Sequence, residues 1–412
     1  MRADQGKFDV AISGGGFVGL ALVLALSRAR PGLAIAAIDP LPRDEALSRE
    51  RDGRASALTR ASVNLLKTLG VWERVAGDAQ AMRRIDITDT GLAAEVRPPL
   101  LQFDTELEPG EPAAHVLENH KLLSALLDTA LQASGVESIP DAVAGLDRMA
   151  HGVELTLHNG AGIRSALAVA ADGRRSRLRE LSGIRTVGWS YPQSGIVATI
   201  DHERPHNGLA VQHFLPSGPF AFLPLPGNRS SLVWSEDRDE ARRIMALGDD
   251  DFLAEVSLRF GGRFGKLALA GPRGSWPLDL HMARSFVRER VALAGDAAHG
   301  VHPLAGQGLN IGLRDVAALA QVIVDAARLG LDIGDASVLA RYERWRRFDS
   351  AFLAFAMDGM NRLFSSDAPG LRMVRSFGLG LVDRAPSLKR FFVAEAAGAI
   401  GEVPKLLRGQ PI

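Results

Sequence analysis

Gly14, Gly16 and Gly19 fall in the spacing GxGxxG, with Phe17 and Val18 between the last two. They sit where a short apolar run gives way to a helical pattern. Each glycine has a separate task. One permits the tight turn, the next lets backbone N–H groups come close to a pyrophosphate, and the third lets helix and strand pack. The helix start adds partial positive charge. Asp39, twenty residues beyond Gly19, is placed to accept from a ribose hydroxyl. The chemistry is dinucleotide binding, and the motif alone does not separate NAD from FAD.

A second glycine-rich segment, GDAAHGVHPLAGQGLNIGLRD, fills residues 295–315. The run RVALA delivers Gly295 and Asp296 to the end of a buried strand. A carboxylate there can accept hydrogen bonds from ribityl hydroxyls. Pro303 fixes a stretch of loop. Gly306, Gln307, Gly308, Leu309 and Asn310 then open a helix whose first N–H groups lack partners within it. Those donors and the dipole favour negative charge, of the kind a reduced flavin carries at its N1–O2 edge. A glycine-rich turn with no ligand is the alternative. His299 and His302 have no third ligand at a suitable spacing, so no metal site is expected. His115, His120, His202 and His206 read as surface or structural histidines. GGRFGK, residues 261–266, lacks the strand and the Lys-Ser/Thr pair of a phosphate loop.

Two further positions are ambiguous on their residues alone. Arg54, in GRAS, is either a charge-assisted donor to a pyrophosphate or one more solvated arginine beside Arg49, Glu50, Arg51 and Asp52. Asp172, in ADGRRS, reads by itself as a turn or helix cap.

The elements needed to position these groups are legible. FDVAIS reads as a buried strand, GGGFVGLALVLALSRA as the helix after it, and LAIAAID as a second buried strand ending at Asp39. That βαβ unit implies a parallel sheet. Residues 56–75 read as one helix and residues 118–135 as another, stopped by Gly135. Residues 83–97 alternate like exposed strands around a turn, and residues 151–173 read as a hairpin feeding a buried strand. From about residue 183 to 274 alternating strands punctuated by Pro and Gly suggest an inserted antiparallel sheet. Long helical stretches follow residue 309. Phe348, Phe352, Phe355, Met357, Met360, Leu363 and Phe364 lie in them, and make either a membrane- or partner-facing helix or ordinary core.

The chain has 412 residues, enough for two or three domains. Lys+Arg and Asp+Glu balance at 48 each, so no long-range field points to nucleic acid. With no cysteine, disulfides, thiolate metal sites and redox-cysteine reductases are excluded. The first residues carry no signal-like apolar region and no run near the start is long enough to span a bilayer. A cytoplasmic protein is expected, with peripheral contact on the inner face of the membrane left open.

Together these segments resemble the class A flavoprotein aromatic hydroxylases, the para-hydroxybenzoate hydroxylase superfamily, and most closely its ubiquinone-biosynthesis branch. GDAAH, then P, then GQGLN, then G and D, fits the branch signature. The likeness covers nearly the whole chain. It implies an α/β fold of the GR2 type: a Rossmann-like FAD-binding domain (1–75, 106–182 and 275–345), an inserted antiparallel-sheet substrate domain (76–105 and 183–274), and C-terminal helices (346–412). It gives Asp172 a role with FAD and NAD(P)H, places Arg54 on the pyrophosphate, and leaves His120 where arginine is common. It implies FAD as prosthetic group, NAD(P)H or another reductant, O2, and a polyprenylated phenol hydroxylated through a C4a-hydroperoxyflavin. Pro303 and the backbone of Gly306 and Gln307 would line the oxygen site. Tyr191, in WSYPQS, is a weak candidate for the phenol's base, against an ordinary interface tyrosine. A biosynthetic complex and a homo-oligomer stay open. The competing readings are a flavin hydroxylase acting on a small soluble aromatic, an NAD-dependent dehydrogenase with one Rossmann site, and a non-catalytic flavoprotein scaffold.

Overall fold

The computed structural model describes residues 4–88, 99–108, 111–301, 307–364 and 403–412. Its first sheet grows from the strand Asp4–Ser13. Val10, Ala11 and Ile12 of that strand are fully buried, the pattern of a strand covered on both sides. In spatial order the strands are Val136–Ile139, Ile35–Ile38, Asp4–Ser13, Gly162–Ala170, Gly152–Leu157 and Val143–Met149. Val291–Leu293 runs beside the last residues of Gly162–Ala170. The first four strands and Val291–Leu293 are mutually parallel. The remaining two complete an antiparallel hairpin.

The register of this sheet matters most for function. Ile38 pairs with Ser13, Ser13 with Ala170, and Ala170 with Leu293. Four parallel strands therefore end in one row. The residues that follow them, Asp39, Gly14, Asp172 and Gly295, emerge side by side at the carboxyl edge, where open α/β sheets bind ligands. The helix Phe17–Ala29 is buried from Gly19 to Ser27 and packs against Gln307–Arg328 and Asn119–Ala130.

The second sheet runs His299–Gly300, Gly274–Ala283, Thr186–His202, Arg229–Asp237, Gly218–Leu225, Leu209–Leu215, Arg84–Thr88 and Leu101–Asp104. It is antiparallel except where Leu209–Leu215 meets Arg84–Thr88. One face carries Ile196, Ile200, Val211, Phe220, Phe222 and Trp234, packed with Phe252, Val256, Phe260 and Phe264. The other contributes Tyr191, Phe214, Leu278 and Leu280 to the core of the first domain. A small sheet of Ala55–Thr59, Ala114–Glu118 and Gln80–Met82 lies between them.

Four sequence expectations need correction. Residues 56–75 are not one helix. Ala55–Thr59 is a strand paired with Ala114–Glu118, and helices follow at Arg60–Thr68 and Trp72–Val75. Thr59 makes the switch, its Oγ1 accepting from the Ser62 N–H at 3.3 Å, as an N-cap does. Residues 183–274 are not all strand, since Arg238–Met245 and Asp249–Phe260 are helices. Their apolar faces close the second sheet. Finally, Gly274–Ala283 pairs with Thr186–His202, so a boundary at residue 275 cuts through a strand of the second sheet. The C-terminal helix Ala336–Phe364 begins before residue 346. The side chains of the aromatic pattern in its second half lie outside the described residues, and only their helical backbone is described.

Candidate active site

Two of the three motif glycines are demanded by packing. Gly14 has φ +116°, and a Cβ there would sit 2.2 Å from the Ala171 carbonyl oxygen; one on Gly19 would sit 1.9 Å from the Gly14 oxygen. Gly16 is different, because a Cβ there would meet nothing within 4 Å. It precedes the helix Phe17–Ala29, whose start has no side-chain cap and no acidic residue in its first turn. Open space beside uncapped N–H groups is the shape that receives an anion. Asp39 braces this turn: its two oxygens accept from the Gly15 and Leu41 N–H groups, the latter at 2.8 Å. A carboxylate has lone pairs for further donors, so these bonds do not use it up.

Asp172 stands next in the row. Its Oδ2 accepts from the Leu178 N–H at 3.1 Å. Its Oδ1 is buried with no hydrogen-bond partner among the described residues. Burial pushes this carboxyl up, against the opposing pull of Ser176 and the helix N–H groups. A buried orphan acceptor in the turn that touches Gly14 is a place for a donor on a bound group.

Arg54 is held from three sides. Its Nε donates to Asp52 at 2.7 Å, a terminal nitrogen donates to Glu50 at 3.0 Å, and its guanidinium lies 5.1 Å from the centre of the Trp276 ring. Burial raises the Glu50 carboxyl, partly offset by Arg54. The arginine is thus neither free nor aimed at the glycine turn by these contacts.

Residues 295–315 tie the two sheets together. Leu293 ends a strand of the first sheet, and His299 and Gly300 pair with Met282 and His281 of the second. Gly295 has φ +62°, and a Cβ there would lie 2.8 Å from Val18 Cγ2; one on Gly312 would lie 2.7 Å from the same atom. Val18 therefore locks the first glycine segment onto the second. Asp296 is exposed, and its carboxylate makes no hydrogen bond or ion pair with a described residue. Its carbonyl is bonded to His281 Nε2 at 2.9 Å. Burial keeps the His281 ring towards its neutral form, against that bond. Of the expected helix-opening residues, Gln307, Gly308 and Leu309 are half-buried. Asn310 is fully engaged: its Oδ1 accepts from Thr59 N–H (3.0 Å) and Ser62 Oγ (2.7 Å), and its Nδ2 donates to the Ala57 carbonyl (2.8 Å). The helix Gln307–Arg328 has no acidic residue in its first turn. His302, Pro303 and Gly306 lie outside the described residues.

Sequence reasoning missed the anchor beneath this segment. Asp315 is fully buried. Its Oδ2 accepts from the Gly295 N–H at 2.9 Å and is bonded to His299 Nε2 at 2.6 Å, while Oδ1 accepts from Arg346 Nε at 2.8 Å. Burial alone would push the carboxyl up, but the charges and hydrogen bonds of His299 and Arg346 outweigh it and hold it below the usual range. His299 is thus a structural partner of Asp315. Among the described residues no group of three or more His, Cys, Asp or Glu is placed to hold a metal ion. No local signal connects Asp315 to an arginine one helix further on.

Tyr191 is buried within the first core cluster. Gln212 was also missed. Val211 and Leu215 face the helices of the second sheet, so alternation puts Gln212 and Phe214 on the face turned to the first domain. Gln212 Nε2 is buried there with no hydrogen-bond partner among the described residues. The one available cue was a polar residue alternating with apolar ones in VQHFL.

Open space at Gly16, an exposed carboxylate at Asp296 and a helix start at Gln307 with no acidic residue in its first turn fit FAD, one end at each glycine segment. The fold and site together define a flavin-dependent oxygenase. A family model for the FAD binding domain matches residues 7–350. The chain is 43% identical to ubiquinone hydroxylase UbiL of Rhodospirillum rubrum, over 98% of this chain and 93% of that one. It is 36% identical to 3-demethoxyubiquinol 3-hydroxylase of Escherichia coli, over 95% and 98%. It is 32% identical to the human mitochondrial ubiquinone biosynthesis monooxygenase COQ6, over 95% and 92%. The structure of p-nitrophenol 4-monooxygenase PnpA from Pseudomonas putida superposes with a TM-score of 0.77 at 18% identity, covering 98% of this chain and all of that one. At that identity it speaks for the fold alone. The chain belongs to the FAD-binding-domain family, as an FAD-dependent hydroxylase of its ubiquinone-biosynthesis branch.

Proposed function

We propose that this chain hydroxylates the aromatic ring of a polyprenylated phenol on the way to ubiquinone, taking electrons from NAD(P)H and the inserted oxygen atom from O2. The observation that carries the reading is the row of strand ends, which gathers Asp39, Gly14, Asp172 and Gly295 at one edge. The names of relatives that align over nearly the whole chain support the substrate class. Bound FAD supplies the chemistry that the side chains lack, passing electrons to O2.

The chain's own residues bind, orient and exclude water. The N–H groups after Gly16 hold the pyrophosphate, and Asp296 accepts from the ribityl hydroxyls. The first turn of Gln307–Arg328 faces negative charge with its N–H donors and dipole. The family resemblance assigns Pro303, Gly306 and Gln307 to the oxygen site. The inner face of the second sheet, with Tyr191, Gln212 and Phe214, shapes the ring pocket, and Gln212 Nε2 is a donor for the phenol oxygen. A polyprenyl tail partitions into lipid, so the reading includes peripheral contact with the inner face of the membrane. No described helix is long and apolar enough to cross one.

The test is turnover of the purified holoprotein under 18O2 with a short-tailed prenyl phenol. One labelled oxygen in the ring product, with NAD(P)H oxidised only when the phenol is present, is the expected result. Oxidation of NAD(P)H with no labelled product would refute the reading. The same assay with a small untailed phenol separates the second reading, a hydroxylase of soluble aromatics.

A further inference from the structure

A cavity of about 670 Å³ opens on the second sheet, away from every element of the flavin cradle, lined in part by Arg83, Arg84, Arg204, Arg263, Asp104 and Phe264. We propose that it is a binding site for a phosphate ester, either a phosphorylated small molecule or a phospholipid headgroup.

The charge arrangement is what points to an anion. Arg84 and Arg263 are oriented by one fully buried carboxylate, Asp86, through Arg84 Nε at 3.3 Å and a terminal nitrogen of Arg263 at 2.8 Å. Each guanidinium keeps other N–H donors for a ligand. The side chains of Arg83 and Arg204 make no hydrogen bond or ion pair with a described residue. Four positive charges thus share one cavity with two carboxylates, Asp86 and Asp104. The chain as a whole is balanced at 48 basic and 48 acidic residues, so the excess is local. Like charges held together repel unless an anion sits between them, and guanidinium groups match phosphate oxygens in pairs.

The rest of the wall is held by its own contacts. His206 is buried, its Nδ1 accepting from the Gly208 N–H at 2.9 Å and its Nε2 donating to the Leu225 carbonyl at 2.8 Å. That pattern uses both ring nitrogens. Gly208, at φ +74°, leaves room for Arg83, since a Cβ there would lie 3.1 Å from Arg83 Cγ. The stem of Arg83 thus runs beside this glycine at the cavity edge. Leu209, Pro205 and Phe264 add apolar surface beside the arginines, which suits an ester better than a bare ion.

The experiment reads binding on the FAD-loaded protein without turnover, so its result stands apart from the ring-hydroxylation reading. Inorganic pyrophosphate is titrated calorimetrically at about 0.15 M salt, where exposed charges more than ~8 Å apart are screened. Flotation with phosphatidylcholine vesicles containing phosphatidylglycerol forms the second arm. The R83Q/R204Q double variant is compared with R204Q alone, which alters only a loop, and with R242Q as an unrelated exposed control. Saturable pyrophosphate binding, weakened about tenfold or more in the double variant and intact in R242Q, supports the site with a free phosphorylated molecule as its source. Vesicle binding lost in the double variant but kept in R242Q supports a headgroup. No saturable binding in either arm, or binding equal in wild type and both cavity variants, overturns the proposal.

Discussion

Asp296 and Asp315 lie nineteen residues apart and differ in every contact. The Asp296 carboxylate is exposed and without a described partner, so it is available to a ligand and contributes little to folding. Asp296→Ala is therefore expected to weaken FAD binding by about tenfold or more. The melting temperature of the flavin-free protein should stay at its wild-type value. Flavin titration followed by fluorescence, beside a thermal melt, checks both halves. Asp315 should behave in reverse. Asp315→Asn removes the buried one of Arg346's two charge partners and leaves it only the half-buried Asp349, which costs up to about 3–5 kcal/mol and should show in denaturant unfolding even without flavin. The pH dependence has a definite sign. The folded-state carboxyl is held below its ordinary value of 3.8. Its stabilisation is therefore present above that value and is lost as pH falls through the lower folded one. Wild type should lose stability over that acid range more steeply than Asp315→Asn, and equal slopes would contradict the assignment. Of these two aspartates, the sequence revealed the one at a strand end. The other depends on Arg346, a contact between distant elements that no local spacing encodes.

At the scale of elements, the meeting of Phe17–Ala29 and Gln307–Arg328 fixes how the two glycine segments face each other. Val18 fills the gap that Gly295 and Gly312 leave. Gly312→Val would push a branched side chain into Val18, where even a Cβ would lie at 2.7 Å. Overpacking of this kind costs about 1–3 kcal/mol. It should also shift the helix start, so flavin affinity should fall together with stability. Parallel measurement of unfolding and FAD affinity tests that coupling; stability lost with unchanged affinity would break it. The first glycine turn, the buried strands and the hairpin after residue 151 were readable from apolar runs and glycine spacing. The strand Ala55–Thr59 was not, because a short run such as SALT has no period that separates strand from helix. Helix Asp249–Phe260 was overlooked although its Asp249, Asp250 and Asp251 are a helix-start signal. The surrounding Pro and Gly drew the whole region towards strand.

For the whole molecule, the central claim is that one chain joins an FAD-binding sheet to a substrate sheet so that a prenylated phenol is hydroxylated between them. The segment 295–315 is the physical join, contributing a turn to one sheet, a short strand to the other and the helix start beside both. That double membership accounts for so many constrained residues in one stretch. The position of the oxidised ring carbon is not written in these motifs, since it depends on how the inner face of the second sheet holds the substrate. The most direct test is the quinone content of a strain deleted for this gene. The account predicts loss of ubiquinone, accumulation of a prenylated phenol lacking one hydroxyl-derived oxygen, and rescue by the wild-type chain but not by Asp296→Ala. Unchanged ubiquinone with no accumulated intermediate would contradict it.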